Sequence, residues 1–295
     1  MNLFTNQDFV PMLLNEIKKP FNDPDYIFEL KFDGIRTLLF AEPKKITIRN
    51  KRGNILNNRY PELLNITKMV TKKVIFDGEI IIMINGKPSF DKLQERALLK
   101  NKLKIKYFAK TFPVIFIAYD ILYEDKDLTH LPLIKRKKIL NKYHNTENFI
   151  KSECFDEKGK DLYKLVVKEN LEGIVAKKKD SKYYINKRTK NWIKIKNLKD
   201  EDFYICGYKE ENDKAMASLL LGKKKKKNLI YAGTVNIGRK NSEFQFIKKI
   251  PINKNPSFTK EGYINLIPNV KCTILFMEKT KKGFMRQPIY KKLSN

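Results

Sequence analysis

Residues 29–36 are Glu-Leu-Lys-Phe-Asp-Gly-Ile-Arg, the most informative stretch of this 295-residue chain. Lys31 ends an apolar segment, Tyr26–Lys31, whose composition predicts a β-strand, and the Asp-Gly pair that follows predicts a turn. A lysine is a nucleophile only when deprotonated, and its ordinary pKa of about 10.4 is too high at neutral pH. Burial and neighbouring cations lower that pKa in lysines that act as covalent catalysts. The stretch therefore indicates a candidate nucleophile, although a K-x-D-G tetrapeptide alone is equally compatible with an ordinary strand and turn.

Four further motifs follow in order along the chain. Tyr119 taken alone would usually be an aromatic residue of the hydrophobic core. Its assignment to a functional site depends on the presence of the other motifs. Lys194 and Lys196 stand at i and i+2 of a predicted strand and so point to the same face. The four motifs are Phe76-Asp77-Gly78-Glu79, Ile117-Ala118-Tyr119-Asp120, Glu172-Gly173-Ile174-Val175-Ala176-Lys177 and Asn191-Trp192-Ile193-Lys194-Ile195-Lys196.

Together the five motifs resemble those of the covalent nucleotidyltransferases, the superfamily of DNA ligases, RNA ligases and mRNA capping enzymes. The resemblance is closest to ATP-dependent DNA ligases of the small bacterial and phage type. These are related to the ligase domain of the bacterial non-homologous end-joining ligases. The resemblance begins at Pro11-Met12-Leu13-Leu14 and extends almost to residue 295. Five motifs in the family's order are too many for a chance agreement.

The resemblance implies a role for each residue around the nucleotide. Lys31 would attack the α-phosphorus of ATP, form a lysyl–AMP phosphoramidate and release pyrophosphate. Glu29 would accept a hydrogen bond from the adenine amino group and so select adenine over guanine, while Glu79 would hold the ribose hydroxyls. Tyr119 would stack on the adenine, a contact of about 1–3 kcal/mol by analogy with other base–aromatic stacking. Phe116 is a second candidate for that contact.

The resemblance also implies a phosphate and metal site. Glu172, together with Glu79, would hold Mg²⁺ or Mn²⁺ near the phosphates. Lys194 and Lys196 would contact the α-phosphate, help to lower the pKa of the nucleophilic lysine and stabilise the charge of the leaving group. Lys177 is a further candidate for this cationic lining.

Three arginines coincide with family arginines in a chain that uses lysine about six times as often. Planar, bidentate recognition of phosphate is a property of arginine that lysine lacks. Arg36 and Arg49 would bind the 5′-phosphate of a DNA nick or the AMP. Arg286, in Arg286-Gln287-Pro288, resembles the last family motif and would orient the pyrophosphate of ATP.

Composition supports a polyanionic partner and excludes several classes. The 62 basic and 33 acidic residues give a net charge of +29, which favours nucleic acid or an anionic membrane surface, although a lysine-rich chain can also reflect an AT-rich genome. The longest apolar stretches, Val74–Ile84 and Pro113–Tyr123, fall short of the roughly 18 residues of a membrane helix. No secretory signal is visible, so we expect a cytoplasmic protein without a membrane span. Disulfides and a cysteine-rich zinc site are not expected, because the cysteines are isolated at Cys154, Cys206 and Cys272.

The pattern of predicted elements changes near Asp200. Residues 1–198 alternate strand-like and helix-like segments, and regularly spaced short strands follow. With the resemblance, this predicts an α+β fold: an adenylation domain of antiparallel sheets and helices over residues 1–198, then an OB-fold β-barrel over residues 199–295. The run Lys223–Lys227 is predicted as a hairpin tip, either a solvated loop or a phosphate contact. Predicted helices are Pro61–Thr71, Phe90–Leu99, Leu133–Tyr143 and Asp156–Glu169. Predicted strands are Tyr26–Lys31, Thr37–Ala41, Ile46–Arg49, Val74–Ile84, Val114–Leu122, Gly173–Lys177, Phe203–Tyr208, Ala217–Leu221, Leu229–Ile237 and Val270–Thr280.

These observations predict an ATP-dependent DNA ligase that seals 5′-phosphate/3′-hydroxyl nicks in duplex DNA during repair or replication, as a monomer. Neither GxxxxGK[ST] nor GxGxxG occurs, which argues against a P-loop ATPase, a kinase and a dinucleotide enzyme. An RNA ligase is the nearest alternative, and a capping guanylyltransferase is more distant. A catalytically inactive module that binds nicks or DNA ends is the alternative from another class.

Overall fold

The computed structural model describes residues 2–210, 215–226, 228–280 and 282–294. These residues belong to two units, Met1–Asn197 (unit 1) and Leu198–Asn295 (unit 2). No helix in the described part of either unit is long and apolar enough to cross a membrane.

Unit 1 combines strands with four α-helices and one 3₁₀ helix. Its strands are β1 (Leu13–Glu16), β2 (Tyr26–Lys31), β3 (Ile35–Glu42), β4 (Lys45–Asn50), β5 (Val74–Ile84), β6 (Lys87–Pro88), β7 (Val114–Glu124), β8 (Phe149–Lys151), β9 (Phe155–Asp156), β10 (Gly173–Lys178) and β11 (Arg188–Lys196). Its helices are the 3₁₀ helix Pro61–Met69, α1 (Phe90–Leu98), α2 (Lys102–Thr111), α3 (Leu133–Leu140) and α4 (Gly159–Lys168).

Two sheets form unit 1, one with the order β1-β11-β10-β2-β9 and one with the order β4-β3-β5-β7-β8, in which β6 pairs with β5. Pairing is antiparallel except between β1 and β11 and between β7 and β8. The second sheet is built around β5, where Val74–Ile82 is a nearly continuous buried run. Phe76, Phe116 and Phe149 pack together in the core beside it. The mixed α/β fold with sheets and helices is therefore as predicted.

The Lys31 motif joins the two sheets. Lys31 is the last residue of β2 in the first sheet, and Ile35 is the first residue of β3 in the second. The backbone in between passes so close to β5 that a Cβ on Gly34 would lie 2.3 Å from the carbonyl oxygen of Ile80. Glycine is required at this position because any side chain would collide with backbone.

Several elements of unit 1 differ from the prediction: α3 ends at Leu140 rather than Tyr143, and strands β1, β6, β8 and β9 were not predicted. The segment predicted from Pro61 is a 3₁₀ helix that ends at Met69, and α4 begins at Gly159 because Phe155–Asp156 pairs with β2 as strand β9. Helix α2 was not predicted, since its apolar residues occur all round the helix and only Ile105 is buried, so the sequence shows no one-sided apolar period. Its N-terminus is capped by Asn101, whose side chain accepts hydrogen bonds from the backbone N–H groups of Leu103 and Lys104.

Unit 2 contains one sheet and a short helix. Its strands are β12 (Lys199–Glu210), β13 (Met216–Lys225), β14 (Asn228–Gly238), β15 (Ile264–Asn265), β16 (Lys271–Phe276) and β17 (Ile289–Ser294), and its helix is α5 (Ser242–Ile247). The strand order is β14-β13-β12-β16-β17, with β15 paired to β12. Hydrogen-bonded pairing among the described strands does not close this sheet into the predicted barrel.

The predicted tip at Lys223–Lys227 is mostly strand. Lys223, Lys224 and Lys225 belong to β13 and pair with the start of β14, where Lys225 lies opposite Asn228. Lys226 forms the turn, and Lys227 lies outside the described residues. Lys223 makes an ion pair with Glu201 on β12, so this part of the run is not merely a solvated loop.

Candidate active site

A cavity of about 220 Å³ in unit 1 brings together most of the predicted site residues. It lies where β2, β3, β5, β7, β10 and β11 meet. Six of the ten predicted residues line it: Glu29, Lys31, Arg36, Glu79, Tyr119 and Lys194. The other lining residues are Leu13, Leu14, Leu30, Phe32, Lys51, Val175, Lys177, Arg188 and Trp192.

Lys31 is held by a carboxylate at the end of β2. Its Nζ lies 2.5 Å from Oε1 of Glu172, whose side chain is only 5% exposed. Burial alone would lower the pKa of Lys31, but the negative charges of Glu172 and Glu79 outweigh burial and raise it. The expectation that this pKa is lowered is therefore wrong. Lys194 and Lys196 do not offset the effect of these two carboxylates on the pKa of Lys31.

The two carboxyl groups near Lys31 are both perturbed. Burial raises the pKa of Glu79 to about 8, against the attraction of Lys31 and Arg36, and Glu172 adds repulsion. Burial likewise raises the pKa of Glu172, although its ion pair with Lys31 opposes this. Unlike its Oε1, the Oε2 atom of Glu172 is buried without a hydrogen-bond partner in the described structure.

Glu172 and Glu79 could supply only part of the ligands of a divalent cation. No group of three or more His, Cys, Asp or Glu side chains suited to a metal occurs within the described ranges. Mg²⁺, however, is usually held by one or two carboxylates together with water and substrate phosphates. The orphaned Oε2 of Glu172 is a suitable oxygen donor for such a site.

Lys194 and Lys196 share a carboxylate that sequence reasoning missed. Glu16 lies 2.9 Å from Nζ of Lys194 and 3.8 Å from Nζ of Lys196, so both lysines lie on one face of β11. Burial and the positive charge of Lys194 lower the pKa of Lys196, and Lys31 adds to this effect. Glu16 reaches the site because β1 pairs in parallel with β11, a long-range pairing that no local motif signals.

Arg36 is engaged by a buried aspartate. Its Nε donates to Oδ1 of Asp77 at 3.1 Å and its Nη2 donates to Oδ2 at 2.7 Å. The hydroxyl of Tyr183 donates to the same Oδ2 at 2.7 Å. Asp77 stands within a motif quoted above but was given no role, and Tyr183 was not singled out at all.

Tyr119 stands at the wall of the cavity on β7. The guanidinium of Arg36 lies 5.6 Å from the centre of its ring. The ring of Tyr119 also packs edge to face against Trp192, with the ring centroids 6.3 Å apart. Its neighbours thus hold the ring in one orientation at the wall.

Glu29 is buried between two lysines. Its Oε1 lies 2.6 Å from Nζ of Lys137 on α3, and its Oε2 lies 3.0 Å from Nζ of Lys177 on β10. Burial would raise the pKa of Glu29, but the two ammonium groups outweigh it and lower that pKa. Glu29 is therefore an ionised acceptor, and Lys137 is a neighbour that the motifs did not include.

Two predicted arginines are engaged by other residues. Arg49 donates to Oδ1 of Asp8 at 2.8 Å and to the carbonyl oxygen of Gly53 at 3.2 Å. Arg286 belongs to unit 2, where it makes an ion pair with Glu278. Neither arginine lines the cavity of unit 1.

Solved structures of other proteins share this fold. A mycobacterial DNA ligase D complexed with ATP and MES has a TM-score of 0.61 and 24% identity, covering 98% of this chain and 96% of that one. A structure from a study of Lig E DNA ligases has a TM-score of 0.66 and 19% identity, covering 97% and 99%. The chain therefore shares the fold of these two DNA ligase structures.

Sequence comparison then identifies the family. Residues 11–196 match the family described as the ATP dependent DNA ligase domain, and this chain belongs to the ATP-dependent DNA ligases. It is 31% identical to the SPbeta prophage-derived DNA ligase-like protein LigB of Bacillus subtilis (strain 168), over 95% of this chain and 97% of that protein. It is 28% identical to the bifunctional non-homologous end joining protein LigD of the same organism, over 86% of this chain. The match spans 44% of that LigD, so this chain corresponds to less than half of it.

Proposed function

We propose that this DNA ligase transfers AMP from ATP to Lys31, then to the 5′-phosphate of a nick in duplex DNA, and seals the nick with the 3′-hydroxyl. The observation that carries the proposal is the position of Lys31, at the wall of a cavity and 2.5 Å from Glu172. Three displacements at phosphorus follow one another. The leaving groups are pyrophosphate, then the Lys31 amine, then AMP.

Lys31 must lose a proton before it attacks. Its Nζ and Oε1 of Glu172 are at hydrogen-bond distance, so Glu172 is the group that would accept the proton. Burial raises the pKa of Glu172, which makes it a stronger base than an exposed carboxylate. The freed amine attacks the α-phosphorus, and the N–P bond forms as the bond to pyrophosphate breaks.

The remaining cavity residues would position the nucleotide. Glu29 would accept from the adenine amino group, Tyr119 would stack on the base and Glu79 would hold the ribose hydroxyls. Lys194 and Lys196 would contact the α-phosphate, where their charges stabilise the negative charge that develops in each displacement. All of these residues except Lys196 line the same cavity, which supports a common ligand.

A divalent cation completes the proposal. Glu172 and Glu79 would hold Mg²⁺ or Mn²⁺, which would neutralise charge on the phosphate oxygens. The orphaned Oε2 of Glu172 supports this assignment.

The arginines would contact phosphates of the DNA or the nucleotide. Arg36 uses only Nε and Nη2 towards Asp77, and the five donors of a guanidinium leave others for a phosphate of the AMP or of the nick. Arg49 would bind the DNA 5′-phosphate, and Arg286 would orient the pyrophosphate of ATP.

We further assign residues 1–198 to the adenylation domain and residues 199–295 to an OB-fold domain. The division of the chain at Asn197 and Leu198 supports the boundary, and the fold similarity over almost the whole chain supports both assignments. The net charge of +29 suits a DNA ligand. We propose a monomer that acts in the cytoplasm.

The proposal is tested by incubating the protein with α-labelled ATP and Mg²⁺ and then adding nicked duplex DNA. Covalent label that survives denaturing electrophoresis should form on the wild type and on Lys72→Ala, an exposed control, but not on Lys31→Ala. The label should then leave the protein as the nicked strand is sealed. Label that forms but is never discharged to DNA would indicate another acceptor, such as RNA ends. A deadenylated wild type that takes up no label would contradict the proposal.

A further inference from the structure

Glu16 is a carboxylate beside the cavity that the proposed function does not use. It is the last residue of β1, and its side chain is 40% exposed. One of its oxygens, Oε2, lies 2.9 Å from Nζ of Lys194 and 3.8 Å from Nζ of Lys196. A single oxygen atom therefore holds two ammonium groups that would otherwise repel each other.

Strand pairing fixes the position of Glu16. Strand β1 runs parallel to β11, and a shift in register within β1 places Glu16 opposite Lys194. The next residue, Ile17, donates its backbone N–H to the carbonyl oxygen of Lys194 at 3.2 Å. Lys196 stands two residues later on β11 and so shares a face with Lys194. The carboxylate thus reaches both lysines from the end of a paired strand.

Glu16 is kept ionised by the two lysines. Burial would raise the pKa of Glu16, but its hydrogen bond with Lys194 and the charges of Lys194 and Lys196 outweigh burial and lower that pKa. A carboxylate at neutral pH is therefore the shared counter-ion of the two ammonium groups. Without this negative charge, the two cations on one face of β11 would repel each other and separate.

The contact with Glu16 leaves the lysines able to bind phosphate. An ammonium has three N–H donors, and one carboxylate oxygen takes at most one donor from each lysine. Lys194 lines the cavity, whereas Glu16 is not among the lining residues. Glu16 therefore contacts the ammonium of Lys194 from outside the cavity, and a phosphate inside the cavity would approach it from another side.

We propose that Glu16 is a positioning residue of the ligase reaction, which holds Lys194 and Lys196 side by side so that both contact the adenylate phosphate in each displacement. The inference rests on the proposed function, because it requires that phosphate at these lysines. Two ammonium groups that are already in place stabilise the developing negative charge without first having to reorient. Glutamine has nearly the same shape as glutamate and no charge, so Glu16→Gln removes the positioning effect with little change in packing.

The test follows a single turnover of lysyl-AMP formation. Deadenylated protein is mixed with excess α-labelled ATP and Mg²⁺, and the rate constant, the half-saturating ATP concentration and the amount of labelled protein are each measured. In Glu16→Gln the rate constant at saturating ATP should fall about 5-fold, the kinetic equivalent of the upper range for a partly exposed ion pair. The half-saturating ATP concentration should stay at the wild-type value, because the effect is on developing charge. The amount of labelled protein should also be unchanged.

Glu95→Gln is the matched control. Glu95 lies on α1, its side chain is 48% exposed, and its Oε2 lies 2.7 Å from Nζ of Lys92. Its exposure and its ion pair with a lysine resemble those of Glu16, but it does not line the cavity. The control should keep the wild-type rate constant, half-saturating ATP concentration and amount of labelled protein.

A second measurement isolates the last displacement. The substrate is nicked duplex DNA whose 5′-phosphate already carries AMP, and the protein is in excess, so no ATP is needed. Glu16→Gln should seal this nick about 5-fold more slowly than wild type, because Lys194 and Lys196 would stabilise the charge on AMP as it leaves. Glu95→Gln should seal it at the wild-type rate.

The outcomes separate this inference from the function on which it rests. A wild-type rate constant in Glu16→Gln would overturn the positioning role. If the half-saturating ATP concentration then falls, Glu16 competes with phosphate for the lysines; if only the amount of labelled protein falls, Glu16 acts in folding. Sealing of the adenylated nick at the wild-type rate would also overturn the positioning role. No lysyl-AMP in the wild type would overturn the proposed function and this inference with it.

Discussion

Lys31 is kept protonated by its neighbours in the structure described here. The carboxyl groups of Glu172 and Glu79 raise its pKa, although burial acts in the other direction. A nucleophilic lysine need not have a low pKa at rest if a carboxylate is in position to take its proton. The 2.5 Å contact between Lys31 and Glu172 provides that position.

At the residue scale, Glu79→Gln should change the dependence of stability on pH. The pKa of Glu79 is raised from 4.5 to about 8 by burial, so the folded state keeps a proton that the unfolded state loses above about pH 4.5. The contribution of Glu79 to the free energy of unfolding therefore decreases as the pH rises from about 4.5 to 8, and it is constant above pH 8. Glutamine cannot ionise, so the variant should gain stability relative to wild type across this window, by at most about 1.4 kcal/mol per pH unit.

Thermal unfolding of both proteins at pH 5, 6, 7 and 8 measures this difference. The melting temperature of Glu79→Gln minus that of wild type should increase steadily with pH. The exposed Glu157→Gln is the control and should show no such trend. A constant difference between pH 5 and 8 would show that Glu79 is ionised in the folded protein.

Arg36 stabilises the fold in addition to any contact with phosphate. Its removal leaves the carboxylate of Asp77, which is fully buried, with Tyr183 as its remaining side-chain partner. Arg36→Ala should therefore lower the free energy of unfolding by about 3–5 kcal/mol, the usual cost of breaking a buried ion pair. Urea unfolding measures the loss, with the exposed Arg52→Ala as control. If the two variants are equally stable, the pair with Asp77 is not important for stability.

At the scale of elements, strand β10 positions the site. It lies between β2 and β11, and Gly173 pairs with both Lys31 and Lys196. Its neighbours leave no room for a side chain, because a Cβ on Gly173 would lie 2.3 Å from the carbonyl oxygen of Ile195. The strand therefore sets the separation between the nucleophile and the cationic residues of β11.

Gly173→Ala should consequently reduce both stability and lysyl-AMP formation. The clash with backbone should cost about 1–3 kcal/mol or more, the range for overpacked interiors. Gly238→Ala is the control, since a Cβ there meets no atom within 4 Å. We measure denaturant unfolding together with the rate of labelling by α-labelled ATP. Normal labelling by Gly173→Ala would show that the spacing of β2 and β11 is not critical.

At the scale of the whole molecule, the net charge of +29 should make binding to nicked DNA strongly dependent on salt. Each phosphate that a lysine or arginine neutralises releases counterions, and 6–10 such contacts weaken affinity by about 10³–10⁵ between 50 and 200 mM salt. Fluorescence anisotropy with labelled nicked duplex, titrated over that range, gives the slope. A flat profile would contradict extensive contacts with the DNA backbone.

Much of the fold follows from local sequence. Strand Val74–Ile84 has the predicted bounds, because Ile, Val and Phe on both sides of Asp77-Gly78-Glu79 favour an extended, buried strand. Helix α1 is also close to its prediction, and Ser89 caps its N-terminus. Helix α2 was missed because its apolar residues are distributed around the helix and do not form the one-sided period by which a helix is predicted.

The sequence by itself determined the family, the candidate nucleophile Lys31 and the five motifs, because each motif is a local run whose chemistry can be recognised without a partner. Only the tertiary structure decided which groups face one another. Glu16 contacts Lys194 because strands β1 and β11 pair in parallel. Asp77 on β5 pairs with Arg36 on the neighbouring strand β3. Lys137 contacts Glu29 from a helix more than a hundred residues away in sequence. These contacts set the ionisation of the site, and ionisation depends on distances between charges that a linear sequence does not contain.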